Sequence, residues 1–354
     1  MNVFHCDHCQ QLVFFENIHC VACNHTLAYL PDLAVIGSLE QEADGLWRLP
    51  QRRFADHAYR LCENFSRENV CNWAIPAGDA EPLCASCRLT RVIPDLTQPG
   101  YKEAWYKLEV AKRRLVYTLI RLGLPIVDRK ADPVFGLAFE FVADPTPPTP
   151  DPTPLLTGHA KGVITINIAE ADDAEREKRR VALYEPYRTL LGHMRHEIGH
   201  YYWDRWSKNQ LWLERFRKVF GDEREDYGEA LKRHYEKGPA ADWQTQFVTS
   251  YASSHPWEDW AETHAHYLHM VDTLETTAAC GLSLRPRRND KPTLKQPGRA
   301  DTKQSFDQMI ENWFPLTYVI NNLNRGLGLP DGYPFILPPA AIQKLRFVHD
   351  AITG

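Results

Sequence analysis

HMRHEIGHYYWD, residues 193–204, sets three histidines, a glutamate and an aspartate within three helical turns. It reads either as one face of a metal centre or as the polar stripe of a histidine-rich helix. His196 and His200 are i, i+4 neighbours, so both imidazoles leave one helix face and can reach one cation about 2.0–2.1 Å from each nitrogen. Glu197, next to the first of them, is placed to act as general base toward a metal-activated water instead of binding the ion. A third protein ligand decides between the readings.

HPWEDWAETHAHYLHMVDTLET, residues 255–276, offers one. Pro256 suits a first helical turn and Ser253 or Ser254 can cap it, which predicts a helix over about 256–276. Glu258 and Glu262 share a face there: one can bind the ion while the other orients a ligand histidine. His264, His266 and His269 are candidate proton donors, the last two nearer the Glu262 face. Asp204, four residues after His200, can fix an imidazole tautomer, or serve as a cap or surface group. His193 faces the same side as His196 and Glu197, although three ligands suffice without it. Tyr201, Tyr202 and Trp203 read as core, and Cys280 as a small buried apolar residue.

Eight of the nine cysteines fall in the first 87 residues. Cys6-x2-Cys9 and Cys20-x2-Cys23 form two knuckles that together make a four-thiolate cage, with bonds of about 2.3 Å to zinc. Cys62, Cys71, Cys84 and Cys87 form a second set, in which only the last pair is a knuckle. Iron suits the same geometry, so zinc is the inferred metal. His5, His8 and His19 read as bystanders. Between residues 1 and 95 there are seven arginines, no lysine and twelve acidic residues, a net charge of −5. Such a ribbon is a poor phosphate binder, which argues against nucleic acid and for a structural role or a protein partner at the ribbon.

The chain of 354 residues is 44% apolar, with a formal net charge of −5, and supports a sizeable core. It shows neither an export signal nor a run of about 18 apolar residues, so no membrane is expected; metal-type cysteine spacing suits reducing cytosol. Residues 101–122 predict an amphipathic helix through Trp105, Leu108, Ala111, Leu115 and Leu119, its AKRR stretch (111–114) forming the solvated face. VFGLAFEFVAD (134–144) and GVITINIAEAD (162–172) predict strands; the second puts Ile164, Ile166 and Ile168 on one face and reads as an edge able to pair an extended peptide, or as an ordinary half-buried strand. DPTPPTPDPTP (144–154) predicts a stiff loop and residues 286–303 a surface loop. Two helices should follow, one ending near Gly326 and one terminal, completing the domain.

The motifs HMRHEIGHYYWD and HPWEDWAETHAHYLHMVDTLET behind a four-cysteine ribbon resemble the bacterial family of zinc-binding metallopeptidases with an N-terminal zinc-ribbon domain. The spacing Y-x6-ExxAE is similar, more distantly, to the anthrax-lethal-factor type of gluzincin, with Trp260 where that family has Phe. The resemblance implies Glu258 as ligand, Glu262 as the carboxylate behind a ligand histidine, and Tyr251 as hydrogen-bond donor to the oxyanion.

The expected fold is therefore α+β: four-cysteine zinc ribbons over residues 1–95, then a mostly helical zincin-like metallopeptidase domain with a small sheet over 96–354. The expected function is zinc-dependent hydrolysis of peptide bonds in a peptide or protein substrate, with one catalytic and two structural Zn2+ ions. The alternative is a non-catalytic ribbon adaptor or peptide-binding module on the same scaffold.

Overall fold

The computed structural model describes residues 1–51, 54, 56–144, 157–182, 189–288, 292–294 and 305–354. The Pro-rich segment after Asp144 and most of the stretch 286–303, both read as loops, lie outside these residues. Near the N-terminus a hairpin of β1 (Phe4–His5) and β2 (Leu12–Val13) carries the first knuckle. Five antiparallel strands follow in sequence order: β3 (Thr26–Leu30), β4 (Val35–Gln41), β5 (Trp47–Arg48), β6 (Ala58–Leu61) and β7 (Ala74–Pro76). A short helix, α1 (Glu63–Ser66), joins the last two. Tyr29 N donates to Asn72 O at 2.8 Å, so the end of the sheet returns beside its start.

β8 (Thr90–Val92) leaves the ribbon for a second sheet, of order β10-β11-β9-β8, formed with β9 (Ala138–Val142), β10 (Gly158–Ala160) and β11 (Val163–Asn167). The isoleucines of β11 face inward as the alternation requires: Ile164, Ile166 and Ile168 are buried. The expectation that this strand forms an edge is corrected, because β10 pairs antiparallel along its outer side. A two-residue turn makes this fold-back, with Lys161 and Gly162 both at positive φ (47° and 85°), the backbone a tight hairpin demands. A Cβ on Gly162 would fall 2.4 Å from the carbonyl oxygen of Phe135.

Helix α2 (Tyr101–Arg121) buries Trp105, Leu108, Ala111, Leu115 and Leu119, the predicted stripe. Its basic stretch departs from expectation: Lys112 and Arg113 are 0% and 2% exposed. The ribbon lies across that face and supplies what buried cations need. Lys112 Nζ sits 2.8 Å from Glu109 Oε1, which also accepts from Thr90 Oγ1 at 2.8 Å and Trp105 Nε1 at 3.3 Å. Arg113 donates to the Val70 carbonyl and lies beside the thiol groups of Cys71, Cys84 and Cys87. Tyr117, on the same helix, packs its ring 5.4 Å from Phe15 and 5.6 Å from Tyr29 of the ribbon.

The helical layer continues with α3 (Asp173–Ala182), α4 (Leu190–Trp206), α5 (Gln210–Phe220), α6 (Tyr227–Lys237), α7 (Trp243–Gln246), α8 (Pro256–Ala279), α9 (Phe306–Gly326) and α10 (Pro339–Thr353). The last two are the expected C-terminal helices. Helices α4 and α8 lie against each other at Gly199, where a Cβ would approach Ala261 Cα to 3.1 Å, and Trp260 Nε1 donates to Gly199 O at 2.8 Å. Pro256 does open α8, but the cap is His255, whose Nδ1 accepts from Trp257 N at 3.1 Å; Ser253 and Ser254 belong to the turn before it. Tyr201 and Tyr202 are core, as read, whereas Cys280 is exposed because it follows the last turn of α8.

Three histidines of α8 pack against neighbouring elements, His264 against α4 and the other two toward α9 and the residues after it. His264 Nδ1 lies 3.4 Å from Arg195 O, His266 Nδ1 lies 3.1 Å from Tyr333 Oη, and His269 stacks edge-on against Trp313 and Tyr333. Burial pushes their pKa values down, to about 4 for His266 and about 3 for the other two.

Two predictions follow from this packing. Glu109→Ala strands Lys112 without its carboxylate and should cost about 3–5 kcal/mol in urea unfolding, while Glu103→Ala on the exposed side of the same helix should cost no more than about 1 kcal/mol. The α8 histidines are neutral when folded but take up protons near pH 6.5 once unfolded. The unfolded state therefore binds more protons between about pH 6.5 and 4, so their contribution is full above that window and lost as pH falls through it. The urea midpoint should drop across this range, and His269→Leu should flatten the drop.

Candidate metal centre

Helix α4 starts at Thr189, whose side chain accepts from Gly192 N at 3.0 Å, and this start sets the rotation that turns His196 and His200 toward α8. Their Nε2 atoms lie 3.1 Å apart. Glu258, two residues into α8, points its Oε2 between them, 3.0 Å from His196 Nε2 and 3.6 Å from His200 Nε2. All three side chains are buried.

The tautomers explain why these groups face one another. Glu262 Oε1 lies 2.7 Å from His196 Nδ1, and an ionised carboxylate only accepts, so the ring proton sits on Nδ1 and Nε2 presents a lone pair. That lone pair faces the buried Oε2 of Glu258 at 3.0 Å. Burial opposes a second proton on this ring, but Glu258 and Glu262 favour it and raise the His196 pKa well above the usual imidazole range; a cation shared by the three atoms would take that proton's place. A tetrahedral site with bonds of about 2.0–2.1 Å separates its donors by about 3.3 Å, close to the three distances here.

Other groups fix the ligands from behind. Tyr227 Oη on α6 donates to Glu258 Oε1 at 2.8 Å, and Thr249 Oγ1 donates to Glu262 Oε2 at 2.7 Å. The Trp257 ring lies 3.7 Å from that of His200. Burial raises the Glu258 carboxyl, but His200 and His196 outweigh it and hold the group well below the usual carboxylate range.

Glu197 points to the same space from the neighbouring position of α4. Its Oε1 is 3.4 Å from His193 Nε2, and its Oε2 is buried without a hydrogen-bond partner among the described residues. Burial opposes its ionisation, yet His193, His196 and His200 pull its pKa below the ordinary value. His193 in turn has Glu170 Oε2 at 3.8 Å from Nδ1; burial disfavours its charge, but the two carboxylates raise its pKa to about 9. Tyr251 lies with its ring 6.0 Å from that of His196 and is kept protonated by burial and by Glu258.

Asp204 is placed differently from the tautomer-fixing role. Its Oδ2 is 4.0 Å from His159 Nδ1, and His200 Nδ1 has no hydrogen-bond partner among the described residues. β10 brings His159 between the two, and burial lowers that ring's pKa to about 4. His266 and His269 turn toward α9 and the residues that follow it, away from the three ligand atoms.

The cysteines gather as two groups of four. In the first, Cys6 and Cys23 sulfurs lie 3.6 Å apart and those of Cys9 and Cys20 3.5 Å; in the second, Cys71 and Cys84 sulfurs lie 3.8 Å apart. Four sulfurs about 2.3 Å from one ion stand about 3.8 Å from one another, so both sets fit zinc. Every member of the second set is buried, and burial with the neighbouring thiols raises Cys84 well above the ordinary thiol range. Without a cation these groups cannot all ionise.

Sequence reasoning missed Tyr227, Thr249, Trp257, His159 and Glu170. Trp257 adjoins the third ligand and was within reach, but no spacing ties Tyr227 or Glu170 to the site. His8, Cys23 and His25 form a further group that sequence reading also passed over.

Residues 101–351 match the family described as "Putative zinc-binding metallo-peptidase", and residues 3–98 match a zinc-ribbon domain. Uncharacterized proteins of Mycobacterium tuberculosis and Mycobacterium bovis are 42% identical over 354 residues, spanning 99% of this chain and 95% of their own length. No solved structure matches the chain significantly. No helix among the described residues is long and apolar enough to cross a membrane. With a match over most of its length and relatives of this identity, the chain belongs to the zinc-binding metallopeptidase family that carries an N-terminal zinc ribbon.

Proposed function

We propose that this chain hydrolyses peptide bonds as a zinc-dependent peptidase, with His196, His200 and Glu258 holding the ion and Glu197 as general base. The observation that carries the reading is the convergence of three buried acceptor atoms from α4 and α8, with an ionised Glu197 beside them. When bound there, zinc acts as a Lewis acid and brings the pKa of water toward about 7.

The chain's own residues supply the rest. Glu262 holds His196 in the Nδ1–H tautomer, and Tyr227 fixes the Glu258 carboxylate. Glu197 takes the proton of the attacking water at Oε2, the oxygen left without a partner, and returns it to the amine nitrogen that leaves. Tyr251, protonated at neutral pH, donates to the carbonyl oxygen as that oxygen gains charge. His193, between Glu197 and Glu170, keeps the base oriented.

We assign residues 1–95 to the ribbon unit and 96–354 to the peptidase unit, with two structural zinc ions in the cysteine cages and one catalytic ion. Three ions are then expected per chain in metal analysis, falling to two in His196→Ala. The substrate is a peptide or protein. Leu12, Phe14 and Val21 stand exposed near the first cage, Phe14 at 80% and Val21 at 85%, and favour a protein partner there.

Glu197→Gln should retain its ions and lose turnover by on the order of 10²–10⁴ against a denatured protein or peptide library. Tyr251→Phe should lower kcat by on the order of 10²–10³ with little change in KM. Cleavage should stop on addition of a zinc chelator. If untreated protein and Glu197→Gln cleave equally, the base is misassigned; if neither cleaves any substrate, the adaptor reading replaces the enzymatic one.

A further inference from the structure

The first ribbon carries more metal-binding donors than its cage uses. Each knuckle closes with a residue in the left-handed region, Gln10 (φ 62°) after Cys9 and Asn24 (φ 58°) after Cys23. The backbone bonds repeat: Gln10 N to Cys6 O and Cys6 N to Gln11 O, then Asn24 N to Cys20 O and Cys20 N to His25 O, all at 2.8–2.9 Å. These turns put His8, inside the first knuckle, and His25, just after the second, on one flank of the cage. Their rings lie 3.9 Å apart and 26° from parallel.

The tautomer of His25 is fixed in the manner of a ligand. Its Nε2 lies 3.0 Å from Glu40 Oε1, an acceptor, so Nε2 carries the proton and Nδ1 the lone pair. Nδ1 is buried and has no hydrogen-bond partner among the described residues. One ligand atom each from His8, Cys23 and His25 falls within 4.8 Å of the others.

We propose that His8, Cys23 and His25 form a second cation site on the outer flank of the first cage, sharing the Cys23 sulfur with it. A cage of four thiolates around a divalent ion keeps a net charge of about −2, and its sulfurs retain lone pairs, so a second cation is attracted and one sulfur can bridge. Two imidazoles and a thiolate select borderline-soft ions such as Zn2+, Co2+ or Cd2+ over Mg2+ or Ca2+. His8 and Cys9 are exposed and Cys23 half-buried, so an ion reaches the site from solvent without opening the fold. Binding uses neutral imidazole lone pairs and a thiolate already ionised in the cage, so no proton or electron leaves.

The test uses the full-length protein carrying three zinc ions per chain, with free zinc removed, titrated with Co2+ while zinc content is followed in parallel. The wild type should bind one additional Co2+ with a sulfur-to-cobalt charge-transfer band and no loss of zinc, and Mg2+ should not compete. His8→Ala, at an exposed position that threatens folding least, should weaken that binding at least about tenfold while its cage zinc stays. His25→Ala should do the same. The proposal is overturned if no extra ion binds, if it binds without the sulfur band, if Co2+ merely replaces zinc, or if His8→Ala binds as well as wild type. It is also overturned if His8→Ala loses the cage zinc, since the ring would then only support the cage.

Discussion

Everything at the centre of this molecule depends on acceptors forced to face acceptors. Helices α4 and α8 close on each other at Gly199, and that contact drives His196 Nε2, His200 Nε2 and Glu258 Oε2 to within 3.6 Å of one another. In an otherwise apolar interior such a cluster is costly unless a cation completes it. Glu262 and Tyr227 tighten the constraint: each takes up the remaining polar atom of a ligand and leaves only the convergent one. The bulk of Trp260, Trp212, Phe216, Phe220 and Phe347 behind the helices keeps this register from relaxing.

What the sequence displayed was whatever lies within one helix or one turn. The i, i+4 spacing of His196 and His200, that of Glu258 and Glu262, the paired knuckles and the stripe of α2 all depend on local geometry, and all appear where expected. The second cysteine set was legible although only one of its pairs is a knuckle, because four thiols so close in a short segment have few other uses. What stayed hidden depends on segments meeting across the fold. Tyr227 reaches Glu258 across 31 residues, and His159 displaces Asp204 only because β10 folds back along β11. The burial of Lys112 and Arg113 belongs to the same class: charge alone marks them as surface, and the approach of the ribbon and of Phe139 and Phe141 from β9 removes water from them.

The ribbon is therefore more than an appendage held by its own ions. Its aromatic core includes Tyr117 from α2, and its strand β8 pairs with β9 of the second sheet. The middle of α2 rests on the second cysteine group through Glu109 and Arg113, and its C-terminal part ties to α8 through Thr118 and Asp272 at 2.6 Å. One helix thus touches a cysteine cage near its middle and the glutamate-bearing helix about one turn further on.

That single rod has an architectural corollary. Arg113 is held inside the protein by the Val70 carbonyl, Glu109 and the sulfurs of Cys71, Cys84 and Cys87, so emptying the cage would weaken the compensation of a buried positive charge in the seam between the two halves. Metal loss at the front end of such a chain would be felt along the helix that braces α8, not at the ribbon alone.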